Sequence, residues 1–166
     1  MLLALQLNNL LEGEGEPGGA VAVITGTAAG GLTEAQVVAG GETIVITLTD
    51  DTWVASGATF DAQRQAIIDG LDSNQSYANG WNAEVRDAMA VTTVARTSDT
   101  VVTITLPATA AYDIPANETI TVTVPASALT GGEAIVATPT FSIAAAVAYG
   151  SGTKRRGISL GLRIGM

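Results

Sequence analysis

Three segments of this chain alternate apolar with polar side chains and are rich in Thr, Val and Ile. They are Glu42–Thr49, Thr100–Leu106 and Thr119–Val124. A period of two residues places every second side chain on one face, and β-branched residues favour extended backbone. With Val91–Arg96 predicted to form a hairpin with Thr100–Leu106, the pattern predicts a mainly β protein, an antiparallel β-sandwich over residues 33–143.

Weaker patterns stand at the borders of this domain. Glu34–Val38 is predicted as its first strand, and Ala134–Ile143 as its last, bent or interrupted at Pro139. The glycine-rich Gly26–Gly31 predicts a flexible connector ahead of the first strand. Residues 1–32 are therefore interpreted as an N-terminal arm, and residues 144–166 as a C-terminal arm.

The segment from about residue 60 to 89 departs from strand periodicity and predicts a helical insertion. Thr59 is predicted to cap a helix over Phe60–Asp69, with Gly70 as the left-handed residue that ends it. A second helical stretch is predicted from apolar residues that recur every four positions: Trp81, Val85 and Met89. Trp53 and Trp81 are expected to pack between this insertion and the sandwich.

Composition removes several kinds of chemistry. The 166 residues include no His and no Cys, so the commonest general base, the usual zinc ligands and any disulfide are absent. Carboxylates near strand ends lack the dense spacing of a calcium loop, and turn chemistry accounts for them: Asp50, Asp51, Asp99, Asp113 and Glu118. Gly26–Gly31 lacks the ending of a phosphate loop. We predict no catalytic residue, metal, cofactor or small-molecule substrate, and no enzyme.

Charge is distributed unevenly along the chain. Sixteen acidic residues oppose seven basic ones for a net charge of −9, yet four of the bases follow residue 150, where no acid occurs. The triplet Lys154, Arg155 and Arg156 is expected to dock on an acidic surface, with a solvated cluster as the alternative interpretation. The strongly negative remainder argues against nucleic acid as a partner.

Both ends of the chain carry large apolar residues, which a disordered tail would lack. Residues 157–166 alternate as a strand and place four of them on one face: Ile158, Leu160, Leu162 and Ile164. The other end is crowded with leucines in a pattern that fits either a strand or a helix: Leu3, Leu5, Leu7, Leu10 and Leu11. An apolar strand with open backbone groups needs cover, so these residues and the basic triplet are predicted to form an interface with other subunits. Packing back on the chain's own sandwich is the competing interpretation.

The first eleven residues are shorter than the roughly 20 that cross a bilayer, and no basic segment precedes them as in a signal peptide. We therefore expect no membrane association, with synthesis in the cytoplasm.

Several segments are similar to a known family. They are Thr47–Trp53, Gly70–Ser73, Gly80–Val85, Arg96–Pro107, Tyr112–Ile114 and Glu118–Pro125. They resemble the immunoglobulin-like β-sandwich modules of tailed-bacteriophage structural proteins and of some bacterial surface proteins. The resemblance covers roughly the middle two-thirds of the chain and not the arms. It implies a binding or packing module, without catalytic residues.

These features together predict a non-enzymatic virion structural protein, a capsid decoration (cement) protein that forms homo-oligomers and binds neighbouring subunits or shell proteins through its arms. The alternative is a receptor- or glycan-binding module of a phage tail appendage or a bacterial surface adhesin. Exposed Trp53 or Trp81 would favour that alternative, and buried ones favour the structural role. A hydrolase with a convergent pair of carboxylates is a third hypothesis.

Overall fold

The computed structural model describes residues 19–147, which we call the body, and it is mainly β. Its strands are β1 Val21–Thr25, β2 Leu32–Thr33, β3 Thr43–Thr49, β4 Leu71–Ser73, β5 Val94–Arg96, β6 Val101–Thr105, β7 Glu118–Val122 and β8 Thr140–Ala144. Sheet 1 has the order β1-β3-β6-β5 and is antiparallel throughout. Sheet 2 has the order β2-β8-β7-β4 and is mixed, because β2 runs parallel to β8.

The helices of the body are short. They are α1 Glu34–Ala39, α2 Ala58–Asp61, α3 Arg64–Asp69 and a π-helical turn at Trp81–Arg86. Single 3₁₀ turns cover Thr27–Gly30, Val91–Thr93 and Ala126–Ala128. None is long enough to be stable alone, so packing against the sheets must hold them in place.

The alternating strands direct their large apolar residues between the two sheets. Sheet 1 contributes Ile44, Ile46, Leu48, Val94, Val102 and Ile104, and sheet 2 contributes Leu32, Leu71, Ile120, Val122, Phe141 and Ile143. Each such side chain stabilises the fold by about 1.5–3 kcal/mol when it is fully buried. The two sheets share one hydrophobic core, an arrangement compatible with a β-sandwich.

The predicted first strand, Glu34–Val38, is wrong, because these residues form helix α1. The reason is local: the backbone N–H of Gln36 donates to Thr33 Oγ1, and the backbone N–H of Thr33 donates to Gln36 Oε1 at 2.9 Å. This reciprocal capping box satisfies two backbone donors at the helix start. The helix ends at Gly40, whose φ of 69° is a conformation that favours glycine.

The predicted connector and the predicted last strand also differ from the structure. Gly26–Gly31 contains a 3₁₀ turn around the fully buried Ala28, and β1 lies before it in sheet 1. Residues predicted to belong to the N-terminal arm therefore enter the sheets from Val21 onwards. At the other border, only Thr140–Ala144 pairs as β8. The segment before Pro139 instead runs beside the start of β1, where Val136 N–H donates to the Ala20 carbonyl.

The helical insertion is present but divided. Its first part consists of α2 and α3 and begins after Gly57, not at a Thr59 cap. Gly70 is right-handed, with φ −72°, so the left-handed prediction is wrong. A side chain at Gly70 would collide with the carbonyl of Thr123, so glycine is needed here for close approach and not for handedness. The Leu71–Ser73 segment then adds the unpredicted strand β4 to sheet 2.

The second predicted helical stretch is the π-helical turn at Trp81–Arg86, and it is shorter than the pattern indicated. The side chains of Trp81, Val85 and Met89 are all buried, although Met89 lies beyond this turn.

Candidate assembly surfaces

The residues predicted to form the interface lie outside the described residues. They are Leu3, Leu5, Leu7, Leu10 and Leu11 in the N-terminal arm, and Lys154, Arg155, Arg156, Ile158, Leu160, Leu162 and Ile164 in the C-terminal arm. The body itself defines where the two arms are attached and which surfaces surround those points.

The two arms are attached at opposite ends of the body. Residue 19 lies two positions before β1, and Val21 of that strand pairs with Thr49 at the end of β3. Near the other terminus, the Ala146 N–H donates to Glu34 Oε2 at 2.9 Å, and Glu34 opens the helix that leads into the start of β3. Since β3 has seven residues, about 20 Å separates the two levels. We call these the N-arm end and the C-arm end.

The N-arm end is rich in carboxylates, and part of this set stabilises its loops. The Asp51 carboxylate accepts backbone N–H groups from Thr52 at 2.7 Å and from Gly131 at 3.1 Å. Asp99 binds Arg96 at 2.7 Å. Asp50 is exposed and has a φ of 66°, a left-handed conformation that Asp tolerates better than most residues. Turn chemistry therefore accounts for Asp51 and Asp99, as predicted.

The surface of the body is strongly negative. Residues 19–147 contain thirteen acidic residues and three arginines, a formal net charge of −10. All three arginines form ion pairs with aspartates at 2.7–2.8 Å: Arg64 with Asp61, Arg86 with Asp72 and Arg96 with Asp99. A basic segment that reaches this surface would meet an excess of unneutralised carboxylates. Among residues 19–147, no three acidic side chains converge in a way that would hold a metal ion.

A buried carboxylate lies near the C-arm end. Glu118 is fully buried, and it accepts hydrogen bonds from Ser73 Oγ at 2.5 Å, Tyr112 OH at 2.8 Å and the Trp81 backbone N–H at 3.1 Å. These donors come from β4, the loop before β7 and the π-helical turn. Burial, and then the hydrogen bond and the charge of Glu118, raise the pKa of Tyr112 well above its usual range. We call these four residues the Glu118 network.

The Glu118 network holds together the elements around the exit of the C-terminal arm. Asn117, the residue before Glu118, accepts the backbone N–H of Ala145 through its side-chain oxygen at 3.1 Å. Glu118 was predicted only as a strand-end carboxylate, and its burial was missed. The sequence did carry a signal for this burial: Glu118 precedes the inward-facing Ile120 and Val122 by two and four residues, so it lies on the same face of β7.

Both tryptophans are in the core, as expected. Trp53 packs edge-to-face on Phe60 of α2, with ring centroids 6.4 Å apart, and Trp81 packs in the same way on Phe141 of β8 at 5.6 Å. The indole N–H of Trp81 donates to the Leu71 carbonyl at 2.9 Å. Neither ring is accessible as a platform for a sugar.

The outward-facing side chains of sheet 1 are uncharged. They are Val21, Val23, Thr25, Thr43, Val45, Thr47, Thr49, Ala95, Val101, Thr103 and Thr105. A contact made by this surface avoids the desolvation cost that charged groups impose.

No family model, no curated protein and no solved structure matches this chain. The resemblance to immunoglobulin-like phage modules therefore stays a prediction. Within the body, no helix is both long and apolar enough to cross a bilayer.

Proposed function

We propose that this chain is a non-enzymatic structural protein of a tailed-phage virion, an immunoglobulin-like capsid decoration protein that binds neighbouring subunits or shell proteins through its two arms. The observation that carries the proposal is the attachment of the arms at opposite ends of the body. A subunit built in this way can engage one neighbour at each end, so many weak contacts add up to a durable coat.

The charge of the body supports the same function. The basic triplet Lys154–Arg156 belongs to a chain whose body has a net charge of −10 and no arginine without an aspartate partner. A copy of the body is therefore a suitable electrostatic partner for the triplet of another copy. The uncharged outer face of sheet 1 offers a further contact surface at low desolvation cost.

The glycan-binding alternative has lost its main sequence argument. It depended on an exposed Trp53 or Trp81, and both rings are buried, with exposed fractions of 1% and 0%. The burial of both rings therefore supports the structural role.

The test is to compare the full chain with a variant that lacks residues 154–166. We expect the variant to keep the circular dichroism spectrum of the full chain, and to lose both self-assembly in light scattering and retention on purified particles. A variant in which Lys154, Arg155 and Arg156 are changed to Gln should assemble, with a weaker dependence on salt than the full chain. If the truncated chain assembles and binds particles like the full chain, the proposed function through the C-terminal arm is wrong.

A further inference from the structure

Each sheet of the body has two edge strands, and an edge strand presents backbone groups with which another strand can pair. Sheet 1 ends at β1 and β5, and sheet 2 ends at β2 and β4. Proteins commonly protect such edges by keeping them short, by placing charges on them or by covering them. An additional strand can therefore bind at an edge that lacks all of these protections.

The β4 edge is covered by the π-helical turn. The Asn82 side chain accepts the Ser73 backbone N–H at 3.0 Å and donates to the Ser73 carbonyl at 3.4 Å. The Trp81 indole N–H donates a hydrogen bond to the Leu71 carbonyl of the same strand. Asp72 adds a charged, partly exposed side chain that binds Arg86. An incoming strand would have to displace this whole turn.

Two other edges are too short or too polar for an added strand. β2 has two residues and passes directly into α1, so it can support almost no ladder. β5 has three residues and ends at Arg96, which binds Asp99. A charged side chain on a short edge disfavours pairing with a further strand.

From Val21 onwards, the β1 edge has none of these protections. Val21–Thr25 has five residues without charge or proline, and within residues 19–147 it pairs with β3 alone. Within the body, the segment before Pro139 covers this edge just ahead of the strand, where the Ala20 carbonyl accepts the Val136 N–H. Val23 lies in the middle of the edge and is 49% exposed.

The sequence of residues 157–164 complements this edge. As a strand, this segment would place its large apolar side chains on one face and Ser159, Gly161 and Arg163 on the other. On the inner side of β1, Ala22 is small and Ile24 is only partly buried, so larger side chains on an adjacent strand would extend the core over them. On the outer side, small or polar residues would continue the uncharged face of sheet 1.

Charge decides the direction of the added strand. Lys154–Arg156 directly precedes residue 157, and the start of β1 lies at the N-arm end, close to the exposed Asp50 and to Asp51. A strand parallel to β1 would bring the triplet to these carboxylates. The chain's own C-terminal arm leaves the body at the C-arm end, so residues 148–156 would have to return about 20 Å before a strand parallel to β1 could begin. These nine residues are fewer than the dozen or more that a crossover to a parallel strand usually takes, which favours a second copy as the donor.

We infer that residues 157–164 of a second copy of this chain add to sheet 1 as a strand parallel to β1, with Lys154–Arg156 beside Asp50 and Asp51. This inference rests on the proposed function, because it requires that the C-terminal arm binds another subunit. Beyond the proposed function, it specifies β1 as the acceptor edge, a parallel direction for the added strand and a second copy of this chain as the partner.

The first test changes the acceptor edge in the full chain. Val23→Lys adds a charge at an exposed position on β1, and it should weaken self-association at least tenfold without altering the circular dichroism spectrum. Ala95→Lys is the matched control, because Ala95 is also exposed on the outer face of sheet 1 but lies on β5. We expect this control to assemble like the wild type. Equal assembly of all three proteins would overturn the β1 assignment, and the proposed function would stand if the variant without residues 154–166 stayed monomeric.

The second test uses the absence of cysteine in the natural sequence. A tagged Val23→Cys chain is mixed with a Gly161→Cys chain and oxidised. A disulfide should join the two chains, because laterally adjacent residues on one face of a sheet lie about 5 Å apart. Leu160→Cys, on the opposite face, should not form it. The inference would be overturned if Leu160→Cys formed the disulfide as readily as Gly161→Cys. An exclusively intrachain disulfide in the Val23→Cys/Gly161→Cys double variant would also overturn it, since the arm would then pair with its own body.

Direction is tested with Val21→Cys. In the parallel arrangement, this thiol should link to Ser159→Cys of a second chain and not to Arg163→Cys. The reverse preference would refute the parallel direction and the role of the triplet at Asp50.

Discussion

The hydroxyl of Tyr112 allows a sharp test of the Glu118 network. Tyr112→Phe removes one hydrogen bond to a buried carboxylate and changes little else, because the ring itself is buried in the core. Hydrogen bonds to charged groups contribute about 1.5–3 kcal/mol each. We therefore expect Tyr112→Phe to lower the free energy of unfolding by about 2 kcal/mol. Tyr77→Phe is the matched control: Tyr77 is partly buried, and within the body its hydroxyl makes no hydrogen bond, so the expected change is below about 0.5 kcal/mol.

The assay is urea unfolding of the full chain, followed by tryptophan fluorescence at a fixed protein concentration because self-association would shift apparent stability. Glu118→Gln should lower the free energy of unfolding by more than Tyr112→Phe does. The amide NH₂ of Gln would face Ser73 Oγ–H or the Trp81 N–H, which are themselves donors. In that background, Tyr112→Phe should cost at least about 1 kcal/mol less than it does alone, since its hydrogen-bond partner is already altered. Additive effects of the two substitutions, or equal costs for Tyr112→Phe and Tyr77→Phe, would refute the network.

Three further predictions concern the same core. Because the pKa of Tyr112 is raised in the folded state, unfolding releases its proton above pH 10. The free energy of unfolding should therefore fall above pH 10 with a slope of up to about 1.4 kcal/mol per pH unit. Tyr112→Phe should lack this part of the slope in urea titrations at pH 9–11.5. Trp81→Phe should lower the free energy of unfolding by about 1 kcal/mol more than Trp53→Phe in thermal unfolding, because within the body only the Trp81 indole N–H has a hydrogen-bond partner. Equal losses of stability in the two variants would contradict this. Gly80→Ala should lower the melting temperature, because the new Cβ would lie 3.0 Å from the buried carboxylate, whereas Gly30→Ala enters open space and should leave it unchanged or raise it.

The sequence predicted those strands whose alternation was long and uninterrupted. The segments assigned to β3, β6 and β7 form strands with the expected residues facing inward, because one buried face fixes the register of each. Short elements were harder to predict. α1 replaced a predicted strand through two hydrogen bonds between Thr33 and Gln36, which periodicity does not report.

Tertiary contacts account for the remaining errors. β4 has three residues, too few for a pattern, and it exists because it pairs with β7. Gly70 was predicted from helix-ending preferences, but glycine is needed there because the backbone closely approaches Thr123, which follows β7 and is more than fifty residues away. The burial of Glu118 depends on donors that the fold gathers from three separate segments. The residues of the predicted interface lie outside the body, so that part of the prediction is untested.

The attachment of the arms at opposite ends of the body also determines how the body would bear tension. A pull on residues 19 and 147 runs along β1 and β8, nearly perpendicular to the hydrogen bonds that join each of them to its neighbours. All bonds of a ladder are then sheared together, instead of being opened one after another as when both ends are pulled from the same side. The body is therefore better placed to resist tension between its two arms than tension applied at one end alone.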